Sequence, residues 1–304
     1  MDMSVSQRVV LSDGAVLWTE STVEPGGTGL VLVHGGPGMW DYLHPVATML
    51  NGAVSTHRYD QRGCGRSAPN TDYRLARFVA DLDELREHFG YEQWYVFGHS
   101  FGAALSLAYA SAHPVRVTGL IYCSGVGLDW SSHRATYRAR VRARLTDAQA
   151  ARRDELQERD RSWEEEVEWR VLCWLPGYAD RAQAPTLARQ VAATALPLNL
   201  DCNTAINAET RRRSLAEERA ECDRVTAPVL VIHGSADPRP LDGAHTLVEA
   251  IPDADLKVIR GAGHWPWQEQ PRHTQALLRD FITRVGPNVA SDQPASCGVD
   301  FNNS

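Results

Sequence analysis

Residues 94–114 read Trp94-Tyr95-Val96-Phe97-Gly98-His99-Ser100-Phe101-Gly102-Ala103-Ala104-Leu105-Ser106-Leu107-Ala108-Tyr109-Ala110-Ser111-Ala112-His113-Pro114. The apolar run Trp94–Phe97 reads as a buried strand. Ala103–Ala112 reads as a helix that Pro114 stops. Between them stands Gly-x-Ser-x-Gly, in the strand–turn–helix context that a nucleophile elbow requires. A turn this sharp needs small residues on both sides, so that neighbouring backbone passes close while Ser100 points outward. The helix start behind Ser100 favours negative charge developing there.

Working outward, more strands and helices alternate. Arg8–Leu11 and Ala15–Thr19 flank the turn signal Ser12-Asp13-Gly14 and read as a hairpin. Leu30–His34 is a continuous apolar strand, as expected where both faces of a parallel sheet are covered. Ser55–Asp60, Leu120–Ser124, Pro228–His233 and Leu256–Ile259 read as further strands. Leu75, Phe78, Leu82, Leu85 and Phe89 recur at helical spacing up to Gly90, and Thr274–Val285 reads as a closing helix. The alternation predicts a doubly wound α/β sheet. From Leu128 to Thr226 the pattern is helical only, with seventeen arginines and seventeen acids in those residues. The expected organisation is therefore a first sheet portion over 1–127, a helical cap over 128–226, a second sheet portion over 227–285 and a disordered tail over 286–304. Within the cap, Arg138, Arg140, Arg142 and Arg144 are balanced by nearby acids and read as a solvated, salt-bridged face.

The 304 residues carry a formal charge of −7 and a pI near 5.9, which argues against a dedicated nucleic-acid binder. No apolar run approaches the roughly 20 residues that cross a bilayer, and Met1–Arg8 is polar, unlike a signal peptide. The expectation is a cytoplasmic protein with no membrane partner. The six cysteines (64, 123, 173, 202, 222 and 297) form no C-x-x-C pair, and no H-E-x-x-H occurs. No metal and no cofactor are expected. Gly26–Gly29 precedes a strand and does not open a helix, so a dinucleotide-binding reading fails as well.

A serine hydroxyl needs a base, and the base needs an orienting acid. His264 follows the strand Leu256–Ile259 within Gly261-Ala262-Gly263-His264. Asp237 follows the strand Pro228–His233 within Gly234-Ser235-Ala236-Asp237. Both therefore project from strand C-terminal ends, where open α/β sheets place their sites. The order Ser100, Asp237, His264 is that of the α/β-hydrolase fold. For an oxyanion hole, the N–H of Phe101 supplies one donor. The segment His34-Gly35-Gly36-Pro37-Gly38 supplies another, assigned to Gly36.

With these residues in view, His34–Gly38 (HGGPG) and Asp60–Ser67 (DQRGCGRS) resemble the proline iminopeptidase-type serine hydrolases of the α/β-hydrolase superfamily. The resemblance implies a cap inserted after the sixth strand and a structural role for Asp60–Ser67. Two departures stand out. The elbow is Gly-His-Ser-Phe-Gly where that family has Gly-Gly-Ser-Trp-Gly. The cap's Trp-Glu pair is matched only at Trp163 and Glu164, because Trp169 and Trp174 precede Arg170 and Leu175.

The expected substrate is a small molecule or short peptide, cleaved at an acyl bond. An aminopeptidase is the first reading, and an esterase, thioesterase or lactonase the alternative. A binding or scaffold protein that lost turnover is a third, against which the complete triad argues. An α-ammonium needs a facing carboxylate, for which Glu209 is the first candidate and Glu164–Glu166 the second. Trp265 and Trp267, just after His264, are candidate pocket walls. The oligomeric state is not legible.

Overall fold

The computed structural model describes residues 4–286. Among these residues eight strands form one sheet: β1 Val5–Val10, β2 Val16–Thr22, β3 Gly29–Val33, β4 Ser55–Tyr59, β5 Trp94–His99, β6 Val117–Cys123, β7 Val229–Gly234 and β8 Ala254–Ile259. Their spatial order is β1-β2-β4-β3-β5-β6-β7-β8. β2 runs antiparallel to both neighbours, and every pairing from β4 to β8 is parallel. Sequential crossovers proceed one way to β4 and the other way from β5, so the order reverses between β3 and β5. Ligand sites of open α/β sheets lie at that reversal, beyond the strand C-termini. The α/β-hydrolase fold expected from the triad order is the one observed.

Among the described residues, twelve α-helices accompany the sheet: α1 His44–Met49, α2 Leu75–His88, α3 Phe101–Ala112, α4 Trp130–Ala143, α5 Asp147–Gln157, α6 Trp163–Trp174, α7 Ala184–Ala192, α8 Leu200–Thr210, α9 Leu215–Cys222, α10 Leu241–Ala250, α11 Pro266–Glu269 and α12 Pro271–Val285. Alternation along β5 feeds two apolar layers. Val96 packs with Phe78, Leu82 and Leu105 on one face, while Tyr95 and Phe97 pack with Val46, Leu278 and Phe281 on the other. The hairpin starts earlier than its pattern suggests. β1 begins at Val5 because β2 supplies its ladder, although only Val9 of that edge strand is buried.

Helices α4–α9 occupy the interval between β6 and β7, where the sequence breaks its strand–helix rhythm. Three of them begin with reciprocal capping boxes, Thr146 with Gln149, Ser162 with Glu165 and Ser214 with Glu217. Their charges pair with each other: Arg152 with Glu168 at 2.8 Å, Arg161 with Glu166 at 2.6 Å and Arg170 with Glu166 at 2.7 Å. Among the described residues no helix is long and apolar enough to cross a membrane. The tail expected over 286–304, Cys297 included, lies outside the described residues apart from Gly286.

Candidate active site

Ser100 sits between β5 and α3 with φ 58° and ψ −119°, a conformation costly for a residue with a Cβ. The flanking glycines make it possible. A Cβ on Gly98 would meet Gly102 O at 2.2 Å, and one on Gly102 would meet Val33 O at 2.1 Å. The turn is also pinned from the next strand, since Ser100 N–H donates to Cys123 O at 2.9 Å.

His264 and Asp237 meet as the sequence order suggests. His264 Nδ1 donates to Asp237 Oδ2 at 2.8 Å, and Asp237 Oδ1 accepts the Arg239 backbone N–H at 2.9 Å. Asp237 is buried, which by itself would raise its pKa, but His264 and Arg239 hold the carboxyl well below its usual range. Burial, reinforced by the Arg239 charge, pushes the His264 imidazole down to about 4. The ring is therefore neutral at pH 7, with Nδ1–H committed to Asp237 and the Nε2 lone pair available as a base. Among the described residues no hydrogen bond joins Ser100 Oγ to His264, although both side chains line one cavity of about 230 Å³.

A second layer holds these parts in place. Gly35 N–H donates to Tyr42 Oη at 2.7 Å, Tyr42 Oη–H to His99 Nδ1 at 2.6 Å, and His99 Nε2–H to the His264 carbonyl at 2.8 Å. One relay thus ties the glycine loop to the base loop through the variable residue of the elbow. Burial drives His99 well below its ordinary pKa, as a ring that must accept on Nδ1 requires. Trp267 packs edge-on against His99 with ring centroids 4.6 Å apart, so it stiffens the relay from behind. The inserted helices contribute too: His264 N–H donates to Gly177 O at 2.6 Å.

The oxyanion candidates Gly36 and Phe101 both line a cavity of about 220 Å³ that also holds Ser100. Gly36 has φ +134°, and a Cβ there would meet the Gly38 and Met39 N atoms at 2.8 Å. The loop Asp60–Ser67 braces this segment: Gln61 donates to His34 O at 2.7 Å and through its backbone to His34 Nε2 at 3.1 Å. Asp60 accepts from Asp41 N–H at 2.6 Å and from Arg66 Nε at 2.7 Å.

Of the substrate-binding candidates, Trp265 lines the cavity with His264 and stacks on Tyr178, ring centroids 4.7 Å apart. Trp267 is buried behind His99 and lines neither cavity. Glu209 does not face Ser100. Its carboxylate accepts the Leu75 N–H at 2.9 Å, because α8 turns that face toward the start of α2. The segment 199–209 instead fastens the insertion to the loops below. Asn199 N–H donates to Gly38 O at 2.8 Å, Asn199 Nδ2 to Gly63 O at 2.7 Å and Asn203 Nδ2 to Pro37 O at 2.9 Å. Glu164–Glu166 are engaged around the start of α6, where Glu165 closes the capping box and Glu166 pairs with Arg161 and Arg170. Sequence reading missed the acids on the cavity wall, Asp129, Glu218 and Glu221, and the cation beside the triad, Arg239. Arg239 was discoverable from its place two residues after Asp237. Glu218 carries no such signal.

Comparison with known proteins accords with this fold. A family described as alpha/beta hydrolase fold matches residues 29–270. The chain is 27% identical to a probable proline iminopeptidase of Leptolyngbya boryana, over 82% of this chain and 84% of that protein. In fold it is similar to a proline iminopeptidase-related protein from Thermus thermophilus, with a TM-score of 0.71 at 20% identity over 93% and 99% of the two chains. It is equally similar to a meta-cleavage product hydrolase from Pseudomonas fluorescens, with a TM-score of 0.71 at 20% identity over 92% and 98%.

Proposed function

The chain belongs to the alpha/beta hydrolase fold family, and from that premise we propose a cofactor-independent serine hydrolase that cleaves a small acyl substrate. Ser100 Oγ attacks the carbonyl carbon while His264 Nε2 takes its proton. The oxyanion is held by the Gly36 and Phe101 N–H groups, which point from a glycine loop and a helix start. Collapse expels the leaving group, protonated by His264, and leaves an acyl-Ser100 ester. Water repeats the sequence and releases the acid. The observation that carries this reading is the buried Asp237–His264 pair at 2.8 Å, opening onto a cavity shared with a serine at positive φ. In it the inserted helices act as the cap over the site. The test is fluorophosphonate labelling of Ser100, which Ser100→Ala should abolish.

Two specificities fit that chemistry. The first is a proline iminopeptidase-like aminopeptidase, supported by the name of the Leptolyngbya relative and by Glu218. Glu218 lines the Ser100 cavity, accepts the Asp129 N–H at 2.9 Å and has its carboxyl pKa raised by burial. An α-ammonium there would restore the carboxylate its charge partner. An N-acetylated prolyl arylamide should then be cleaved at least about 30-fold more slowly than the free amine, and Glu218→Gln should erase that gap. Equal cleavage of both forms would reject this specificity. The second, an ester or thioester hydrolase, is favoured by the cation that stands nearer the triad.

A further inference from the structure

Arg239 braces Asp237 and its charge depresses His264, yet it moves no proton in the triad chemistry and its place between the cavities suits it to more. The two cavities that adjoin Ser100 share four residues: Gly36, Ser100, Tyr137 and Arg239. The guanidinium lies over the Tyr137 ring, 5.2 Å from its centroid, and the side chain is only 16% exposed. Its ion pair is poor for so enclosed a cation. Nη1 reaches Asp237 Oδ1 at 3.3 Å, Asp237 is already held by His264, and Nε is buried with no partner. The 3.0 Å contact between Nη1 and His264 Nδ1 adds nothing, because that nitrogen carries the proton given to Asp237. Among the described residues, the cavity that contains His264 has no Asp or Glu in its wall. Tyr42, Tyr137, Trp174 and Trp265 line it together with the cation. The acids of the adjoining cavity, Asp129, Glu218 and Glu221, lie in the wall of the other chamber, so a guanidinium with this weak an ion pair, facing an aromatic chamber, is suited to receive an anion.

We propose that Arg239 is a specificity-determining residue that binds a carboxylate of the substrate a few bonds from the scissile carbonyl. Resting on the reading of Ser100 as nucleophile, this assigns the enzyme to acyl substrates that carry such an anion. The fork of Arg239 meets a carboxylate with two parallel donors, and the aromatic walls keep water from screening the pair. Such a substrate meets the guanidinium from the cavity side and sets the carbonyl against Ser100. The same positive charge disfavours an ammonium at that position.

The test compares monoethyl succinate, an anion at pH 7, with neutral diethyl succinate, following acid release by titration at constant pH. Wild type should prefer the monoester by about 10- to 100-fold in kcat/KM, the range for hydrogen bonds to a charged group. In Arg239→Met the ratio should fall toward one, the diester absorbing whatever the change costs the triad itself. Succinate should slow fluorophosphonate labelling of Ser100 in wild type and not in Arg239→Met. Equal use of both esters by wild type, or an unchanged ratio in Arg239→Met, would overturn the proposal and leave Arg239 as a brace for Asp237. Absence of labelling at Ser100 would instead overturn the nucleophile reading, so the two failures are distinguishable.

Discussion

The elbow at Gly98–Gly102 and the segment at 199–209 make opposite demands on a reader of the sequence. At the elbow, function depends on backbone. Gly98 and Gly102 admit other backbone within the space of a methyl group, and their identity announces the turn. In 199–209, function depends on where side chains on a helix point. The acid that chemistry recommends, Glu209, is turned onto the start of α2, while Asn199 and Asn203 grip the loops below. Local backbone geometry leaves a compositional mark, whereas helix rotation is set by packing against distant partners.

The largest expected effect probes the elbow directly. Ser100→Ala should lower turnover by about 10⁴- to 10⁶-fold with an unchanged circular dichroism spectrum, and His264→Ala should match it without adding to it. A Ser100→Ala protein retaining a tenth of wild-type activity would break the assignment.

Next comes the backbone beside it. Gly102→Ala places a methyl group 2.1 Å from Val33 O, which β3 cannot yield without moving. Denaturant unfolding should show a loss of about 1–3 kcal/mol, the usual cost of overpacking. A neutral result would mean that the close approach does not constrain the elbow.

The pH profile sharpens the comparison, because it reads a tertiary effect on a residue visible in the sequence. The base acts when neutral, and burial with Arg239 nearby holds His264 at about 4. kcat/KM should therefore stay level from pH 8 to about 5 and fall only near 4. Arg239→Met removes a cation that disfavours protonation, so its acid limb should move to higher pH. A wild-type limb near the ordinary histidine value of about 6.5 would contradict this environment for His264.

The smallest effect tests the misplaced acid. Glu209→Gln weakens a carboxylate acceptor at the first N–H of α2 and should cost about 0.5–2 kcal/mol of stability, as loss of a helix cap does. It should leave discrimination between free and acetylated amines unaltered, whereas Glu218→Gln should not. A lost discrimination in Glu209→Gln would return that residue to the site.

Much of the fold was open to inspection in the sequence, for reasons that particular residues illustrate. Leu75, Phe78, Leu82 and Leu85 keep one helical face because one face of α2 packs on the sheet. α10 escaped notice. Its first turn contains Gly243, where a Cβ would meet Val126 O at 2.4 Å, so close packing has removed the helical pattern just where it should begin. α1, six residues long, is too short to show a period.

By itself the sequence determined the strand–helix alternation, the break after β6, the elbow and the order Ser100, Asp237, His264. Each is written in local composition: apolar period, glycine where backbone must pass, strand ends that carry polar side chains. Only the tertiary structure decided the relay from Gly35 through Tyr42 and His99 to His264, the burial that depresses the base, and the charges that face the nucleophile. These depend on residues 7 to 165 positions apart meeting in space. Burial and charge proximity are properties of the packed chain, which no local pattern encodes.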